Sequence, residues 1–271
     1  MSNISPYIYL SISPISQDFV KHVDTQDSLA SFLAVDQHKR LEKISTKTRK
    51  VEFLGVRSIL FKLYQRYKLS QGLLPTSQAD VYLTQDELGR PYLGLSKMST
   101  RNNRETVYKK TNIEKVENAT IPSVSLSHSK QWLAAVISDQ SRIGIDIEIP
   151  SRMVSEALKS RFFTQQELQN DIFSDHPVWL WAIKESVVKC IGKGILADMT
   201  KVVVRMAAVN TSTKENWSIN RHPSILSGQE RVYTFYASHA SKDWFEGRVW
   251  IHPLYVCAIA VPSLNEGGKN E

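Results

Sequence analysis

Residues 143–149 read Ile-Gly-Ile-Asp-Ile-Glu-Ile, with isoleucine at every odd position. Because side chains alternate across a β-strand, this pattern predicts a strand whose isoleucines face one layer of the protein. Gly144, Asp146 and Glu148 then share the other face, where the two carboxylates lie roughly 7 Å apart along the strand. Two such carboxylates can ligate a hard cation together; the alternative is a half-exposed strand with a solvated polar face.

A helix is predicted over residues 177–191, and it places Trp181, Glu185 and Lys189 on one face because they recur every four residues. Glu four residues before Lys is also the favoured order for an exposed ion pair, so a purely structural role stays open. Gly192-Lys193-Gly194 ends this helix and frees backbone where a phosphate could approach. The spacing of a Walker motif is absent from this stretch.

The composition describes a protein that attracts anions. The 271 residues carry 34 basic and 27 acidic side chains, for a net charge of +7 and a pI near 9.3. Nucleic acid, a phosphorylated cofactor or an acidic protein would each fit this excess. Cys190 and Cys257 are too few for a disulfide framework or a thiolate metal cage. With no apolar run long enough for a bilayer and no signal peptide pattern at the start, we expect a cytoplasmic protein without a membrane contact.

The distribution of strand and helix patterns predicts an α+β fold rather than an alternating βαβ one. We expect an N-terminal α+β half over residues 1–139 and a C-terminal α+β half over residues 140–271. Residues 96–121 are polar and basic, and are predicted to be an insertion outside any core. A strongly basic helical pattern runs from Asp36 to Leu69 in the first half.

Three shorter motifs are ambiguous when each is taken alone. Thr164-Gln165-Gln166-Glu167 fits a capping box, in which Glu167 bonds back to the Thr164 amide instead of serving in catalysis. Ser127-His128-Ser129 follows a strand, and its histidine would be either polar surface or a phosphate contact. Gly89-Arg90-Pro91 has the composition of a turn.

Together these motifs resemble the surfactin-synthetase-activating (Sfp) type of 4′-phosphopantetheinyl transferase. The first signature of that family, G-[IV]-D-x-E, is matched by Gly144-Ile145-Asp146-Ile147-Glu148. The second, [FW]-[SAC]-x-K-E-[SA]-x-x-K, is matched by Trp181-Ala182-Ile183-Lys184-Glu185-Ser186-Val187-Val188-Lys189. Gly89-Arg90-Pro91, Ser127-His128-Ser129 and Arg161-Phe162-Phe163 with Glu167 follow the family's order. The stretch between Leu93 and Val124 is longer than in compact members of the family.

The resemblance implies a fold and an activity. The fold would be a pseudodimer of two similar α+β halves with the cofactor cleft between them. The activity would be that of a holo-[acyl-carrier-protein] synthase, which moves the 4′-phosphopantetheine of coenzyme A to a serine of an acyl or peptidyl carrier protein and releases 3′,5′-ADP. Such enzymes serve fatty acid, polyketide or nonribosomal peptide biosynthesis. The carrier would be acidic, no nucleic acid would be bound, and a monomer would suffice.

The resemblance also implies roles for individual residues. Asp146, Glu148 and Glu185 would hold Mg²⁺, with Mn²⁺ as a second choice. Lys189 would contact the pyrophosphate, and either Glu185 or Glu167 would be the catalytic base. The remaining cofactor-binding residues would be Arg40, Arg90, Ser127 and His128, with Arg40 matched only loosely.

Other functions remain open at this point. A metal-dependent phosphohydrolase could use the same carboxylates to activate water, and a basic nucleic-acid-binding protein would also fit the charge. An inactive homologue kept as a scaffold is a third alternative. The sequence does not choose the carrier protein, the tolerance for acylated coenzyme A or the role of the insertion.

Overall fold

The computed structural model describes residues 7–22, 32–72, 81–95, 121–193, 199–206, 217–221, 230–240 and 242–263. The insertion expected at 96–121 lies outside these residues, apart from Ile121. The described part is a mixture of helices and two main β-sheets, so the predicted α+β class is confirmed. None of its helices combines the length and the apolar character that crossing a bilayer requires.

The described residues of the first half of the chain form five strands and three helices. The strands are β1 (Ile8–Pro14), β2 (Val81–Gln85), β3 (Pro91–Leu95), β4 (Ser123–Ser129) and β5 (Trp132–Ser138). The helices are α1 (Gln17–His22), α2 (Val35–Glu42) and α3 (Lys47–Ser70). The single helical stretch expected from Asp36 to Leu69 is therefore divided. The break falls where Thr46 caps the start of α3 by accepting from the amide of Arg49.

Where the structure describes the second half, it has six further strands, four helices and a 3₁₀ turn at Met199–Lys201. The strands are β6 (Gly144–Glu148), β7 (Val202–Met206), β8 (Trp217–Arg221), β9 (Arg231–His239), β10 (Asp243–His252) and β11 (Tyr255–Pro262). The helices are α4 (Glu156–Phe162), α5 (Gln165–Leu168), α6 (Asp171–Asp175) and α7 (Pro177–Ile191).

Two main sheets pack face to face, and a long helix covers the outer face of each. The first sheet has the order β4-β5-β1-β8 and the second the order β6-β11-β10-β9-β7. Helix α3 packs on the first sheet and α7 on the second. Between the sheets lies an apolar core that includes Ile145, Ile147 and Trp250. Strand β8 joins the first sheet by pairing in parallel with β1.

The alternative of a half-exposed strand at Gly144–Glu148 is wrong. All five residues of β6 are buried, and Asp146 and Glu148 are each only 5% exposed. The isoleucines face the apolar core between the sheets, as their alternation predicts. The polar face of β6 is instead covered by β4 and α7. Two buried carboxylates must be compensated by partners, which directs attention to this face.

Serine side chains of β4 join the two sheets where β4 and β6 meet as edge strands. The amides of Ile145 and Ile147 donate to the hydroxyls of Ser125 and Ser127, at 3.1 and 3.3 Å. An edge strand carries backbone donors without a ladder partner, and here hydroxyl groups satisfy them. Ser127-His128-Ser129 is therefore part of a strand, not of the turn expected after it.

Candidate active site

A cavity of about 540 Å³ opens between α7, the β2–β3 hairpin and β4. Glu185 and Lys189 of α7 line it, together with Gly192 directly after the helix and with Arg40 and Arg90. Phe162, Trp181, Val188 and Met199 give it an apolar part. Of the residues expected in the site, four thus line the same cavity: Arg40, Arg90, Glu185 and Lys189.

Lys189 connects this cavity to the buried face of β6. Its ammonium donates to Asp146 Oδ1 at 2.7 Å and to the hydroxyl of Ser127 at 3.0 Å. The Ser127 hydroxyl in turn donates to Asp146 Oδ1 at 2.8 Å. Three residues from different elements therefore meet at one carboxylate oxygen, a contact that spacing along the chain does not reveal.

The second carboxylate oxygen of Asp146 differs from the first in its hydrogen bonding. Oδ2 is buried and has no hydrogen-bond partner among the described residues. A buried carboxylate oxygen without a partner costs free energy, unless a ligand supplies the missing interaction. Asp146 is therefore prepared for a positively charged or donating group that reaches it from the cavity side.

Glu148 lies two residues further along β6 but has different partners. Ser129 donates to its carboxylate at 2.7 Å, and Arg152 forms an ion pair with it. The Arg152 guanidinium also lies over the indole ring of Trp181, 4.8 Å from its centroid. The negative charge of Glu148 is thus compensated by Arg152, which also contacts Trp181 in the cavity lining.

Glu185 is the carboxylate that lines the cavity itself. Burial raises the pKa of its carboxyl; the positive charge of Lys189 lowers this pKa and the negative charge of Asp146 raises it again. A raised pKa favours a carboxylate that can accept a proton during a reaction. The arrangement fits a general base.

His128 of β4 lies beside the cluster rather than in the cavity lining. Its Nδ1 is 3.5 Å from the carboxylate of Glu52, a residue of α3. Burial, followed by the positive charges of Lys189, Arg57 and Arg49, lowers the pKa of His128 to about 4. The imidazole is therefore neutral near pH 7, and it would meet a phosphate as a hydrogen-bond donor rather than as a cation.

Glu167 is placed in a separate buried network. Its carboxylate accepts from the Thr164 amide at 2.8 Å and from the Val204 amide at 2.9 Å, and it pairs with Lys184 at 2.6 Å. The capping box predicted from Thr164 to Glu167 is confirmed. Both carboxylate oxygens are occupied and the residue is 2% exposed, which argues against Glu167 as the base.

The carboxylates can be tested against the magnesium site that the resemblance implies. Among the described residues, no three carboxylate, imidazole or thiol groups form a ready-made metal cluster. The donor set nevertheless suits a hard cation, because Asp146 keeps an unpartnered buried oxygen and Glu185 borders the same region. The carboxylate oxygens of Asp146 and Glu185 are ligands of the kind that Mg²⁺ prefers. Glu148 would have to exchange Arg152 for the ion.

Gly144 determines how closely β6 and α7 approach each other. A Cβ atom at this position would overlap the carbonyl oxygen of Ser186 and the amide nitrogen of Cys190, both backbone atoms of α7. We therefore expect Gly144→Ala to push α7 away from β6 and to lower the free energy of unfolding by about 2–3 kcal/mol. Urea unfolding followed by circular dichroism measures this loss. Gly72→Ala is the comparison, because nothing lies within 4 Å of the added Cβ and its only cost is the positive φ; its loss should be about 1 kcal/mol, and equal losses in both variants would contradict the steric reason.

Several site residues escaped the sequence analysis. Ser125 and Ser129 hold β6, Arg152 holds Glu148, and Lys184 holds Glu167. The serines had a visible signal, since Ser123, Ser125, Ser127 and Ser129 alternate along one strand. Lys184 lies within the second signature, whereas Arg152 belongs to no motif.

The fold and the site define a class of protein. Lysine and arginine side chains line one cavity with a buried carboxylate pair beside it, as expected of a protein that handles phosphorylated ligands. A sequence model of the 4′-phosphopantetheinyl transferase superfamily matches residues 142–244, which contain β6 and α7. This match and the motifs of the chain indicate the same superfamily.

Curated relatives from bacilli agree with this assignment. The 4′-phosphopantetheinyl transferase ffp of Bacillus subtilis is 26% identical over 204 residues, which cover 71% of this chain and 72% of the relative. The transferase psf-1 of Bacillus pumilus is 32% identical over 34% of this chain and 42% of the relative. The transferase Sfp of Bacillus subtilis (strain 168) is 33% identical over 30% of this chain and 38% of the relative. The chain thus spans less than half the length of psf-1 and of Sfp in these alignments.

Proposed function

We propose that this protein transfers the 4′-phosphopantetheine of coenzyme A to a serine of an apo carrier protein. One observation carries the proposal. Lys189 joins Asp146, which has a second buried oxygen without a described partner, to a cavity lined by Glu185, Arg40 and Arg90. This combination brings cations for phosphates next to carboxylates for a metal and a base. The names of the relatives describe the same activity in those proteins.

The binding roles follow from position. We propose that the cavity is the cofactor cleft of a pseudodimer, whose halves divide near residues 139 and 140. Arg40 and Arg90 would bind phosphate groups of coenzyme A at one side, and Lys189 would bind the pyrophosphate at the other. Ser127 and neutral His128 would add hydrogen bonds from β4.

The reaction would be an in-line displacement at phosphorus. The carrier serine oxygen forms a bond to the β-phosphorus of coenzyme A, and the bond between that phosphorus and the bridging oxygen of 3′,5′-ADP breaks. Glu185 would accept the serine proton, directly or through a water. Glu167 would instead hold Lys184 and the α5 cap in place. Lys189 would compensate the charge that develops on the departing oxygen.

A metal would be held by the carboxylates of this site. Mg²⁺, or Mn²⁺, bound by Asp146 and Glu185 and joined by Glu148, would neutralise the pyrophosphate and stabilise the leaving 3′,5′-ADP. In this structure Lys189 supplies the positive charge beside Asp146.

Intact-mass spectrometry of apo carrier proteins incubated with this protein, coenzyme A and Mg²⁺ tests the function. We expect at least one carrier to gain the mass of phosphopantetheine, and EDTA to abolish the gain. Cleavage of coenzyme A without any carrier would favour the phosphohydrolase. No gain on any carrier, with intact coenzyme A and a folded protein, would contradict the proposal, and salt-sensitive binding to DNA would then favour a nucleic-acid-binding function.

The partner and the setting are also part of the proposal. An acidic carrier would suit the net charge of +7. Phe162 lines the cavity and could contact the carrier, whereas Phe163 is buried in the core. A monomer and a cytoplasmic location remain predictions, and so does the identity of the pathway.

A further inference from the structure

The turn between β2 and β3 is organised by one carboxylate. Asp86 Oδ1 accepts from the amides of Leu88 and Arg90, at 3.0 and 2.8 Å. The backbone closes the same turn, since the Asp86 amide donates to the Arg90 carbonyl and the Gly89 amide donates to the Asp86 carbonyl. The other carboxylate oxygen of Asp86, Oδ2, pairs with Arg90 Nε at 3.3 Å. Asp86 therefore holds both the backbone and the side chain of Arg90.

The Arg90 side chain lies across the cavity on the end of α7. Gly192, which ends that helix with a φ of +80°, faces it directly. A Cβ atom on Gly192 would stand 3.0 Å from Arg90 Cδ and 3.1 Å from Nη1. The C-terminal end of a helix carries partial negative charge, which suits a guanidinium placed there. Arg90 thus has a defined resting place between Asp86 and α7.

The other arginine of the cavity is held in a similar way. Gln85, the residue directly before Asp86, accepts a hydrogen bond from Arg40 of α2 through its side-chain oxygen. The Arg40 guanidinium also lies 5.9 Å from the ring centroid of Phe53. Two consecutive residues at the end of β2 therefore contact the two arginines of the cavity wall.

We propose that Asp86 is a positioning residue that orients Arg90 for a phosphate group of the ligand, an inference that rests on the proposed function. The Asp86–Arg90 ion pair is partly exposed, and exposed pairs contribute little to stability. A held guanidinium loses less conformational entropy when a ligand binds. Asp86 pairs with the Nε atom of Arg90. A phosphate would therefore accept hydrogen bonds from the two terminal nitrogens of the Arg90 guanidinium.

Asp86→Asn tests this role, because asparagine keeps an oxygen for the turn and removes the charge that holds Nε. We expect the KM for coenzyme A to rise about 5–10-fold, because the Arg90 side chain must then be ordered when the ligand binds, with kcat within about twofold. The Kd for 3′,5′-ADP should rise by the same factor, while the urea midpoint stays unchanged. Glu87→Gln is the matched control, since it removes the same charge from an exposed neighbouring residue outside the cavity lining.

A double-mutant comparison separates positioning from a general effect of charge. Asp86→Asn should have no further effect on the KM or on the 3′,5′-ADP affinity when Arg90 is already alanine. An equal effect in both backgrounds, or an Asp86→Asn enzyme with wild-type KM, would overturn the inference and leave the proposed function standing. A wild-type protein that neither transfers phosphopantetheine nor binds 3′,5′-ADP would overturn both.

Discussion

Replacing Asp146 by asparagine is expected to lower phosphopantetheine transfer by about a thousandfold or more, the scale of losing a charge that stabilises the transition state. The change removes the anionic partner of Lys189 and turns the unpartnered Oδ2 into part of a neutral amide. Asparagine keeps the shape of the side chain, and Ser127 can still donate to its oxygen. Transfer measured by intact mass should therefore collapse while the urea midpoint stays close to that of the wild type.

Asp139→Asn is the control for this experiment. Asp139 undergoes the same chemical change in an exposed turn, where its carboxylate accepts from the amide of Tyr7. We expect its transfer rate to match the wild type. Wild-type transfer by the Asp146→Asn protein would show that activity needs neither a metal ligand at Asp146 nor its ion pair with Lys189.

Replacing Glu167 by alanine is expected to destabilise the protein by about 3–5 kcal/mol, because the change leaves the fully buried ammonium of Lys184 without its counter-ion. The amides of Thr164 and Val204 lose their acceptor at the same time. Two hydrogen bonds from Lys184, to the carbonyls of Phe162 and Met199, remain but do not neutralise the charge. Urea unfolding followed by circular dichroism measures the loss.

Two further variants decide between a structural and a catalytic role for Glu167. Glu156→Ala breaks an exposed ion pair with Lys159 and should leave the unfolding midpoint unchanged. Glu167→Gln keeps an acceptor for the backbone amides, and its folded fraction should transfer phosphopantetheine with a near-wild-type kcat. A Glu167→Gln protein that is stable but inactive would instead make Glu167 a catalytic residue.

The two signatures illustrate how far local patterns reach. Alternation in residues 143–149 predicts both the strand and the side on which its isoleucines pack, because a strand has only two faces. The four-residue spacing of Trp181, Glu185 and Lys189 predicts a shared helical face, and the structure lines a cavity with all three. The capping box at Thr164 is equally local, since its bonds join residues only three positions apart.

Local patterns do not predict which side chains are buried or which groups they pair with. Nothing in the alternating pattern shows that Asp146 and Glu148 are both buried, because their cover comes from β4 and α7. For Glu167 the sequence favours a cap over a catalytic role, but it does not show that Lys184 and Val204 occupy its oxygens. Such contacts join distant parts of the chain and leave no periodicity to read.

By itself, the sequence determined the α+β class, the strand at β6, the helix α7 and the resemblance to a family, because these depend on neighbouring residues and on motifs. Only the tertiary structure decided that Lys189 pairs with Asp146, that Lys184 and Val204 hold Glu167, and that Arg90 lies against Gly192. The strand and the helix can be predicted because the backbone geometry of each repeats within a few residues. The contacts between distant residues arise from the packing of whole sheets and helices, which brings charges together wherever burial requires them to be paired.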